Sequence, residues 1–259
     1  MQIESISDIE YVNRDGVGLH LDIHRPANVS QPLPVVIGIP GGGWRNCAKE
    51  GFPLFLVEQG FAIVAINYRV SSVATAPANI LDCKAAVRWV RANSERYGFD
   101  PARVGAYGAS AGGHLTALLG ASSGTTTLEE ESVDSSVKAV CAVCGPMDLT
   151  RIGRPEIRKD FPVLYEVTEK YLGGPVLDRI ALAQTVSPLT YVSAACPPML
   201  LLHGTADQCV PVEETLVFHE ALTKASVSST LRLVEGVGHD MLVNQTADDV
   251  TAFFKCHLG

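Results

Sequence analysis

Long hydrophobic runs are missing from this 259-residue sequence, in which no stretch of 18 or more residues is continuously apolar. A membrane-spanning helix needs about 20 such residues, so no transmembrane helix is predicted. The first residues show no basic region followed by an apolar stretch, and no signal peptide is therefore visible. We expect a soluble protein that is either cytoplasmic or secreted after removal of a signal, which leaves the compartment open.

Positive charge is also scarce, because 20 lysines and arginines face 28 aspartates and glutamates and give a formal net charge of −8. Nucleic acids and anionic membranes both require a basic face on their partner, so neither is expected to bind here. A small-molecule or carbohydrate substrate without strong charge is easier to reconcile with this composition. Nothing in the composition predicts an oligomeric state.

The seven cysteines are an odd number and cannot all pair within the chain. Cys141 and Cys144 have the spacing of a zinc or redox pair, but they lie in an apolar, strand-like run. No second cysteine pair follows at zinc spacing. We interpret both as buried, inert thiols and predict no metal site.

Short β-branched runs alternate with longer amphipathic stretches, which is typical of βαβ units on a mostly parallel sheet. The chain is therefore predicted to be one α/β domain over residues 1–259. The candidate strands cover residues 19–23, 35–39, 62–66, 104–107, 139–143, 199–203 and 230–234.

The clearest helix is predicted over residues 79–97, where Ile80, Cys83 and Val87 recur at helical spacing while Lys84 and Arg88 can face water. Residues 122–136, rich in Ser, Thr and Glu, predict an exposed loop. Residues 145–195 form the longest interval between strands and are interpreted as a small lid-like insertion with a helix near 163–172. Further helices are predicted over residues 110–119, 213–224 and 248–257.

A catalytic motif lies where the strand over residues 104–107 gives way to a helix. The sequence Gly108-Ala109-Ser110-Ala111-Gly112 matches G-x-S-x-G, and the strand, tight turn and helix supply the context that this motif needs. A serine in a strained turn tolerates only small neighbours two residues away on either side. Ser110 is therefore predicted to be a nucleophile.

Three consecutive glycines, residues 41–43, follow the strand over residues 35–39 and lie between Pro40 and Trp44. Their N–H groups, with that of Ala111, can turn toward a tetrahedral oxyanion. Phosphate binding is the competing interpretation. Neither a G-x-G-x-x-G pattern nor a Walker lysine accompanies these glycines, so an oxyanion hole is favoured.

The partners of a nucleophilic serine are expected in the order acid, then histidine. Asp207 follows the strand over residues 199–203, and His239 follows the strand over residues 230–234 in a glycine-flanked loop. Asp148, after the strand over residues 139–143, is the rival acid. His114, one turn inside the nucleophile helix, is expected to support the site rather than act as the base.

The chain resembles the compact esterase/lipase branch of the α/β-hydrolases, which includes bifunctional feruloyl and acetylxylan esterases. Beyond the triad, the resemblance rests on five segments. The resemblance extends from about Tyr11 to Phe254. The segments are Asn67-Tyr68-Arg69, residues 80–89, residues 108–114, residues 187–192, and His203 to Asp207 with Val210-Pro211.

The resemblance implies an eight-stranded, mostly parallel sheet flanked by helices, with a small insertion instead of a large cap. It also implies hydrolysis of short-acyl or aromatic-acyl esters, including feruloyl or acetyl esters of plant cell-wall sugars, without a cofactor. Ser110, Asp207 and His239 fall on the family's triad positions, and Gly42, Gly43 and Ala111 fall on its oxyanion donors. The family usually has histidine where this sequence has Pro40, so the glycine loop is expected to be held differently.

These observations predict a serine esterase that forms an acyl-enzyme. An arylformamidase-like amidase would use the same triad on a different bond. A non-catalytic binding module that has lost turnover is the third alternative, but such modules usually lack a triad member and all three candidates are present here.

Overall fold

A computed structural model describes residues 2–49, 52–125, 128–129, 133–239 and 245–259 of the chain. One eight-stranded sheet forms the centre, with the strand order β1-β2-β4-β3-β5-β6-β7-β8. Strands β3 to β8 run parallel, whereas β1 and β2 pair antiparallel at one edge. The strands are β1 (Ile3–Arg14), β2 (Val17–Pro26), β3 (Leu33–Ile39), β4 (Ala62–Ile66), β5 (Phe99–Ala109), β6 (Val140–Val143), β7 (Met199–Gly204) and β8 (Ser229–Val234).

The described helices fall between these strands and at the end of the chain. They are α1 (Phe55–Glu58), α2 (Ala78–Ala92), α3 (Ser94–Tyr97), α4 (Ala111–Ala121), α5 (Leu149–Ile152), α6 (Pro155–Asp160), α7 (Pro162–Leu172), α8 (Ile180–Thr185), α9 (Val212–Lys224) and α10 (Ala247–Leu258). Two short 3₁₀ helices cover Val176–Arg179 and Pro188–Tyr191. No described helix is both long and apolar enough to cross a membrane.

The buried apolar side chains form two clusters, one on each face of the sheet. Along β3, Val35 and Ile37 join one cluster while Val36 joins the other, as the two-residue period of a strand requires. Helices α2, α4, α7 and α9 cover the first face, and α1 and α10 cover the second. This double cover explains why the central strands read as nearly continuous apolar runs.

Strand β1 is the one strand of the described sheet that is missing from the candidate strands of the sequence. Its apolar residues Ile3, Ile6, Ile9 and Val12 recur every third position, which does not fit the alternation of a regular strand. The pairing with β2 shifts register between Ile6 and Ile9 and again before Val12. These irregularities insert extra residues and bring Ile6, Ile9 and Val12 to the core-facing side.

The segment over residues 122–136 is not simply the exposed loop that its composition predicts. Lys84 of α2 is fully buried, and its ammonium group lies 2.6 Å from a carboxylate oxygen of Glu129. Arg88 also contacts Glu129 at 3.2 Å, and the buried Ser135 hydroxyl donates to the same carboxylate. The prediction that Lys84 and Arg88 face water is wrong, because this segment covers them and supplies their counter-charge.

Candidate active site

Ser110 lies between β5 and α4 in a backbone conformation that few residues other than glycine adopt, with φ of 57° and ψ of −123°. Such a residue costs about 1–3 kcal/mol and persists only where its surroundings enforce it. Here the Ser110 N–H donates to the Val143 carbonyl at 2.8 Å, and its own carbonyl accepts from the His114 N–H at 3.0 Å. The ends of β6 and α4 thus hold the strained turn in place.

The glycines two residues before and after Ser110 are required by close backbone packing. A Cβ atom on Gly108 would lie 2.4 Å from the Gly112 carbonyl oxygen. A Cβ atom on Gly112 would lie 2.1 Å from the carbonyl oxygen of Ile39. Real Cβ atoms do not approach other atoms this closely. The backbone around Ser110 can therefore pack in this way only with glycine at both positions.

Ser110 borders a mainly apolar cavity of about 130 Å³ at the carboxyl ends of the strands. Parallel sheets of this type collect their functional groups at this edge. The walls come from the glycine loop after β3, the start of α4, helix α7 and the loops after β6, β7 and β8. They comprise Gly43, Trp44, Arg45, Ser110, Ala111, Pro146, Val163, Leu164, Val167, Cys209, Val210 and His239.

The glycine loop lies directly against the Ser110 turn. A Cβ atom on Gly41 would be 2.8 Å from the Ala109 carbonyl oxygen and 3.5 Å from the Ser110 Cβ. Gly43 and Ala111 border the cavity beside Ser110, whereas Gly42 is not among its lining residues. The structure therefore brings two of the three predicted oxyanion donors to the cavity wall.

Pro40 is anchored through its backbone. The buried Tyr68 hydroxyl donates to the Pro40 carbonyl at 3.1 Å and approaches the Gly41 carbonyl at 3.4 Å. Trp44, at the other end of the loop, is buried and stacks on Tyr171 with 4.5 Å between ring centroids. A tyrosine hydroxyl and an aromatic stack thus hold a loop whose first position has no histidine.

His239 and Asp207 are joined by a short hydrogen bond, with Nδ1 of the histidine 2.7 Å from Oδ2 of the aspartate. The carboxylate can only accept, so Nδ1 carries the proton and Nε2 is left free to accept one. The Asp207 side chain is fully buried, and its other oxygen accepts from the N–H groups of Cys209 and Val210 at 2.7 and 2.9 Å.

The two loops that carry this pair are tied together by hydrogen bonds. Strands β7 and β8 are parallel neighbours, so the loops that follow them leave the sheet side by side. The Ala206 N–H donates to the Val237 carbonyl at 3.0 Å, and the Gly236 N–H donates to the Thr205 hydroxyl at 2.9 Å. These bonds set the separation between Asp207 and His239.

Burial and hydrogen bonding shift the pKa in opposite directions, both for Asp207 and for His239. Burial by itself raises the pKa of Asp207, but hydrogen bonds from His203, His239 and the Val210 N–H outweigh it and hold that pKa well below its usual range. Burial by itself lowers the pKa of His239. Hydrogen bonds to Asp207 and Cys144 outweigh that effect and raise the His239 pKa above its ordinary value.

The rival acid, Asp148, has other partners. Its Oδ1 caps α5 by accepting from the N–H and hydroxyl of Thr150 at 3.1 and 2.5 Å. Its own N–H donates to the buried carboxylate of Glu214 at 2.8 Å. Asp148 borders a different cavity from Ser110.

His114 is buried beneath the site and does not border the Ser110 cavity. Its Nε2 donates to the Val186 carbonyl at 2.7 Å, and its ring packs edge-on against Trp44 at 5.2 Å. Burial lowers the pKa of His114 to about 4, so the ring is neutral at physiological pH. The supporting position that the sequence predicts for His114 agrees with these contacts.

Comparison with known proteins decides the family. A family model described as BD-FAE matches residues 21–222. The chain belongs to the BD-FAE family. Among curated relatives, the chain is 36% identical over 218 residues to Esterase LipQ of Mycobacterium tuberculosis, and the match covers 81% of this chain and 51% of LipQ. The chain spans about half of the length of these curated relatives, which include LipQ.

Solved structures of other proteins share the fold of this chain. A bifunctional GH43-CE protein of Bacteroides eggerthii superposes with a TM-score of 0.88 at 30% identity, over 98% of this chain and 38% of that one. Esterase 2 of Thermogutta terrifontis, solved with propionate and also with butyrate bound, gives a TM-score of 0.76. With propionate bound it is 28% identical, over 97% of this chain and 94% of its own. The predicted α/β-hydrolase fold is confirmed.

One residue of the site was not selected from the sequence. His203, at the end of β7, is fully buried, and its Nε2 faces Asp207 Oδ2 at 3.2 Å and the Val210 carbonyl at 3.1 Å. Both are acceptors, so Nε2 carries a proton, while Nδ1 faces the Thr215 hydroxyl at 2.6 Å. Asp207 therefore receives hydrogen bonds from two histidines, one bordering the cavity and one beneath it.

Proposed function

We propose that this chain is a serine carboxylic-ester hydrolase with Ser110 as its nucleophile, His239 as its base and Asp207 as the residue that orients the base. The observation that carries the proposal is the 2.7 Å bond between Asp207 and His239, with His239 bordering the same cavity as the strained Ser110. Nucleophile, base and orienting acid are the three roles that acyl transfer requires.

The reaction proceeds in two acyl-transfer steps. Ser110 Oγ attacks the ester carbonyl while its proton passes to Nε2 of His239, and the Asp207 carboxylate stabilises the resulting imidazolium. The N–H groups of Gly43 and Ala111, which border the cavity beside Ser110, stabilise the oxyanion. The alcohol leaves with the proton from His239, and a water molecule then hydrolyses the acyl-enzyme by the same route.

The size of the cavity favours short acyl groups. A cavity of about 130 Å³ is smaller than typical ligand sites and close to the ~150 Å³ cavity that holds benzene. Acetyl to butyryl groups fit within this volume, whereas a feruloyl group would extend beyond it. The propionate and butyrate complexes of the Thermogutta esterase support the same acyl range.

The experiment that tests the proposal compares Ser110→Ala with the unmodified protein on p-nitrophenyl acetate. Loss of a nucleophile of this kind lowers kcat by ~10⁴-fold or more. Fluorophosphonate labelling followed by peptide mass analysis should place the adduct on Ser110. Substantial turnover by Ser110→Ala would contradict the assignment.

Two matched comparisons separate the remaining alternatives. Asp207→Asn should reduce kcat by ~10⁴-fold because it reverses the histidine tautomer, whereas Asp148→Asn should leave most of the activity. The reverse result would make Asp148 the acid. Rates on a matched ester and formanilide distinguish an esterase from an amidase. A strong preference for the formanilide would contradict the proposal that the enzyme cleaves esters.

A further inference from the structure

Cys144 is a buried thiol beside the catalytic pair, and the acyl-transfer chemistry above gives it no role. It directly follows β6 and has a φ of 41°, a conformation that β-strand ends rarely adopt. Its sulfur, a carboxylate oxygen of Asp207 and a ring nitrogen of His239 all lie within 4.8 Å of one another. The sulfur also approaches the His239 carbonyl oxygen at 3.9 Å.

We propose that Cys144, Asp207 and His239 form a binding site for Zn²⁺ and that its occupation switches off the hydrolase. The three side chains offer sulfur, oxygen and nitrogen, which are the donor types that zinc prefers in proteins. The fourth ligand would be a water molecule, because no other His, Cys, Asp or Glu side chain of the described residues belongs to this cluster. Cysteine, histidine and aspartate thus supply three of the four ligands of a tetrahedral site.

Small movements bring the donors to coordinating distance. Tetrahedral zinc with bonds of ~2.0–2.2 Å to nitrogen and oxygen holds those two atoms about 3.3 Å apart. Nδ1 of His239 and Oδ2 of Asp207 are now 2.7 Å apart, so they need to separate by roughly half an ångström. The thiol needs to approach by on the order of 1 Å, because a zinc–sulfur bond is ~2.3 Å long.

The proton balance explains why the metal would inhibit. Zinc displaces the Nδ1 proton to solvent, and Nε2 takes up one proton from solvent, so the neutral ring then carries its one proton on Nε2. The Cys144 thiol releases its proton to solvent, so the ion meets one thiolate and one carboxylate and its charge is neutralised. A protonated Nε2 cannot accept the Ser110 proton. This inhibitory consequence rests on the proposed function, but metal binding itself does not.

The test measures binding and activity separately in the 259-residue chain. Zinc titration in competition with a chromophoric indicator should give one ion per chain, and Co²⁺ should give a thiolate-to-cobalt charge-transfer band. Turnover of p-nitrophenyl acetate should fall as zinc binds and recover when a chelator is added. Cys144→Ala should weaken zinc binding by more than ~100-fold, since even outer partners of a metal site contribute 10- to 100-fold.

Cys141→Ala is the matched control, because Cys141 is also buried and lies in β6 itself but outside the cluster. This variant should keep zinc binding, the cobalt band and the inhibition. No bound zinc in the unmodified protein, or equal binding by Cys144→Ala, would overturn the site. Zinc that binds through Cys144 without reducing turnover would instead contradict His239 as the catalytic base.

Discussion

Burial disfavours the charged form of His239, whereas the Asp207 carboxylate and the Cys144 sulfur together favour that form more strongly. The net effect raises its pKa above the ordinary value of about 6.5. Below that raised pKa the ring is protonated and cannot accept the Ser110 proton. We therefore expect kcat/KM to rise with pH through an apparent pKa above 6.5 and to level off on the alkaline side.

This pH profile should be measured on p-nitrophenyl acetate with a chelator present. Asp207→Asn removes the charge that raises the His239 pKa, so its residual activity should titrate at lower pH than that of the unmodified protein. An unmodified enzyme that titrates at or below 6.5 would show that Asp207 does not stabilise the charged ring.

His203 is expected to act as a positioning residue through its hydrogen bond to Asp207. His203→Leu removes a bond to a charged group worth about 1.5–3 kcal/mol, which corresponds to a loss of about 10- to 100-fold in kcat. Without this donor, the Asp207 carboxylate should interact more strongly with His239, and the pH profile should move to higher pH. The measurement is kcat and KM across the pH range.

His203→Gln retains a side-chain N–H and should recover part of the loss. General loosening of the site would weaken the pairing of Asp207 with His239, so it would move the profile to lower pH. A pH profile that moves to lower pH, or no recovery of kcat in His203→Gln, would contradict the positioning role of His203 and show that the residue only packs in the core.

The close approach of Asp207 and His239 could be anticipated because both residues follow strands whose order in the chain is that of the α/β-hydrolase motif. Their chemical roles stay predictions until the substitutions above are made. The contact between His203 and Asp207 was not anticipated, because it forms only when the turn after β7 folds back over His203. The spacing of four residues between His203 and Asp207 is the only sequence signal, and it does not reveal orientation.

At the scale of elements, helix α7 forms the wall of the cavity next to the glycine loop. A Cβ atom on Gly43 would meet a Val167 methyl group at 3.3 Å, so this valine limits the space beside the reacting carbonyl. Val167→Ala should raise kcat/KM for hexanoyl and octanoyl esters relative to the acetyl ester by about 10-fold, as expected for an opened apolar pocket.

The comparison should use a series of p-nitrophenyl esters of increasing chain length. Val73→Ala is a suitable control because Val73 is 54% exposed and does not border the cavity. If the ratio of long-chain to acetyl rates is unchanged in Val167→Ala, the acyl group does not bind beside Val167.

The positions of the buried strands were easier to predict than the ends of helices or the irregular pairing of strands. Strand β4 was predicted over residues 62–66, and β3, β5 and β7 contain their predicted cores, because buried parallel strands are almost wholly apolar. Strand β8 extends its predicted core by one residue and is only partly buried. The helix predicted over residues 79–97 ends instead at Ala92, and α3 follows after Asn93. Strand β1 was missed because its irregular pairing removes the two-residue period that identifies a strand.

At the scale of the whole molecule, the buried Lys84 joins α2 to the segment between α4 and β6. Glu129→Gln would leave the Lys84 ammonium group without its full counter-charge in a buried site, which costs on the order of 1–3 kcal/mol. The melting temperature should fall by several degrees, at about 2–4 °C per kcal/mol for proteins of similar size. Thermal unfolding followed by circular dichroism measures this change.

The double variant Lys84→Met/Glu129→Gln should recover most of the stability, because an apolar side chain tolerates burial where an unpaired ammonium group does not. Glu166 pairs with Lys170 at 2.6 Å on the exposed face of α7, and Glu166→Gln should change stability by less than about 0.5 kcal/mol. Similar melting temperatures for Glu129→Gln and Glu166→Gln would show that burial of Lys84 carries no such penalty.

The contacts of the Ser110 turn separate the residues that hold the nucleophile from those that shape the cavity. The turn is bounded by the carbonyl groups of Ile39 and Val143, which belong to the sheet, while α7 lines the cavity and also supports the glycine loop through the stack of Tyr171 on Trp44. Side chains of α7 that only line the cavity could therefore be exchanged without moving the Ser110 turn, provided that Tyr171 is kept. In evolution or in design, the range of substrates can then change while the position of the serine stays fixed.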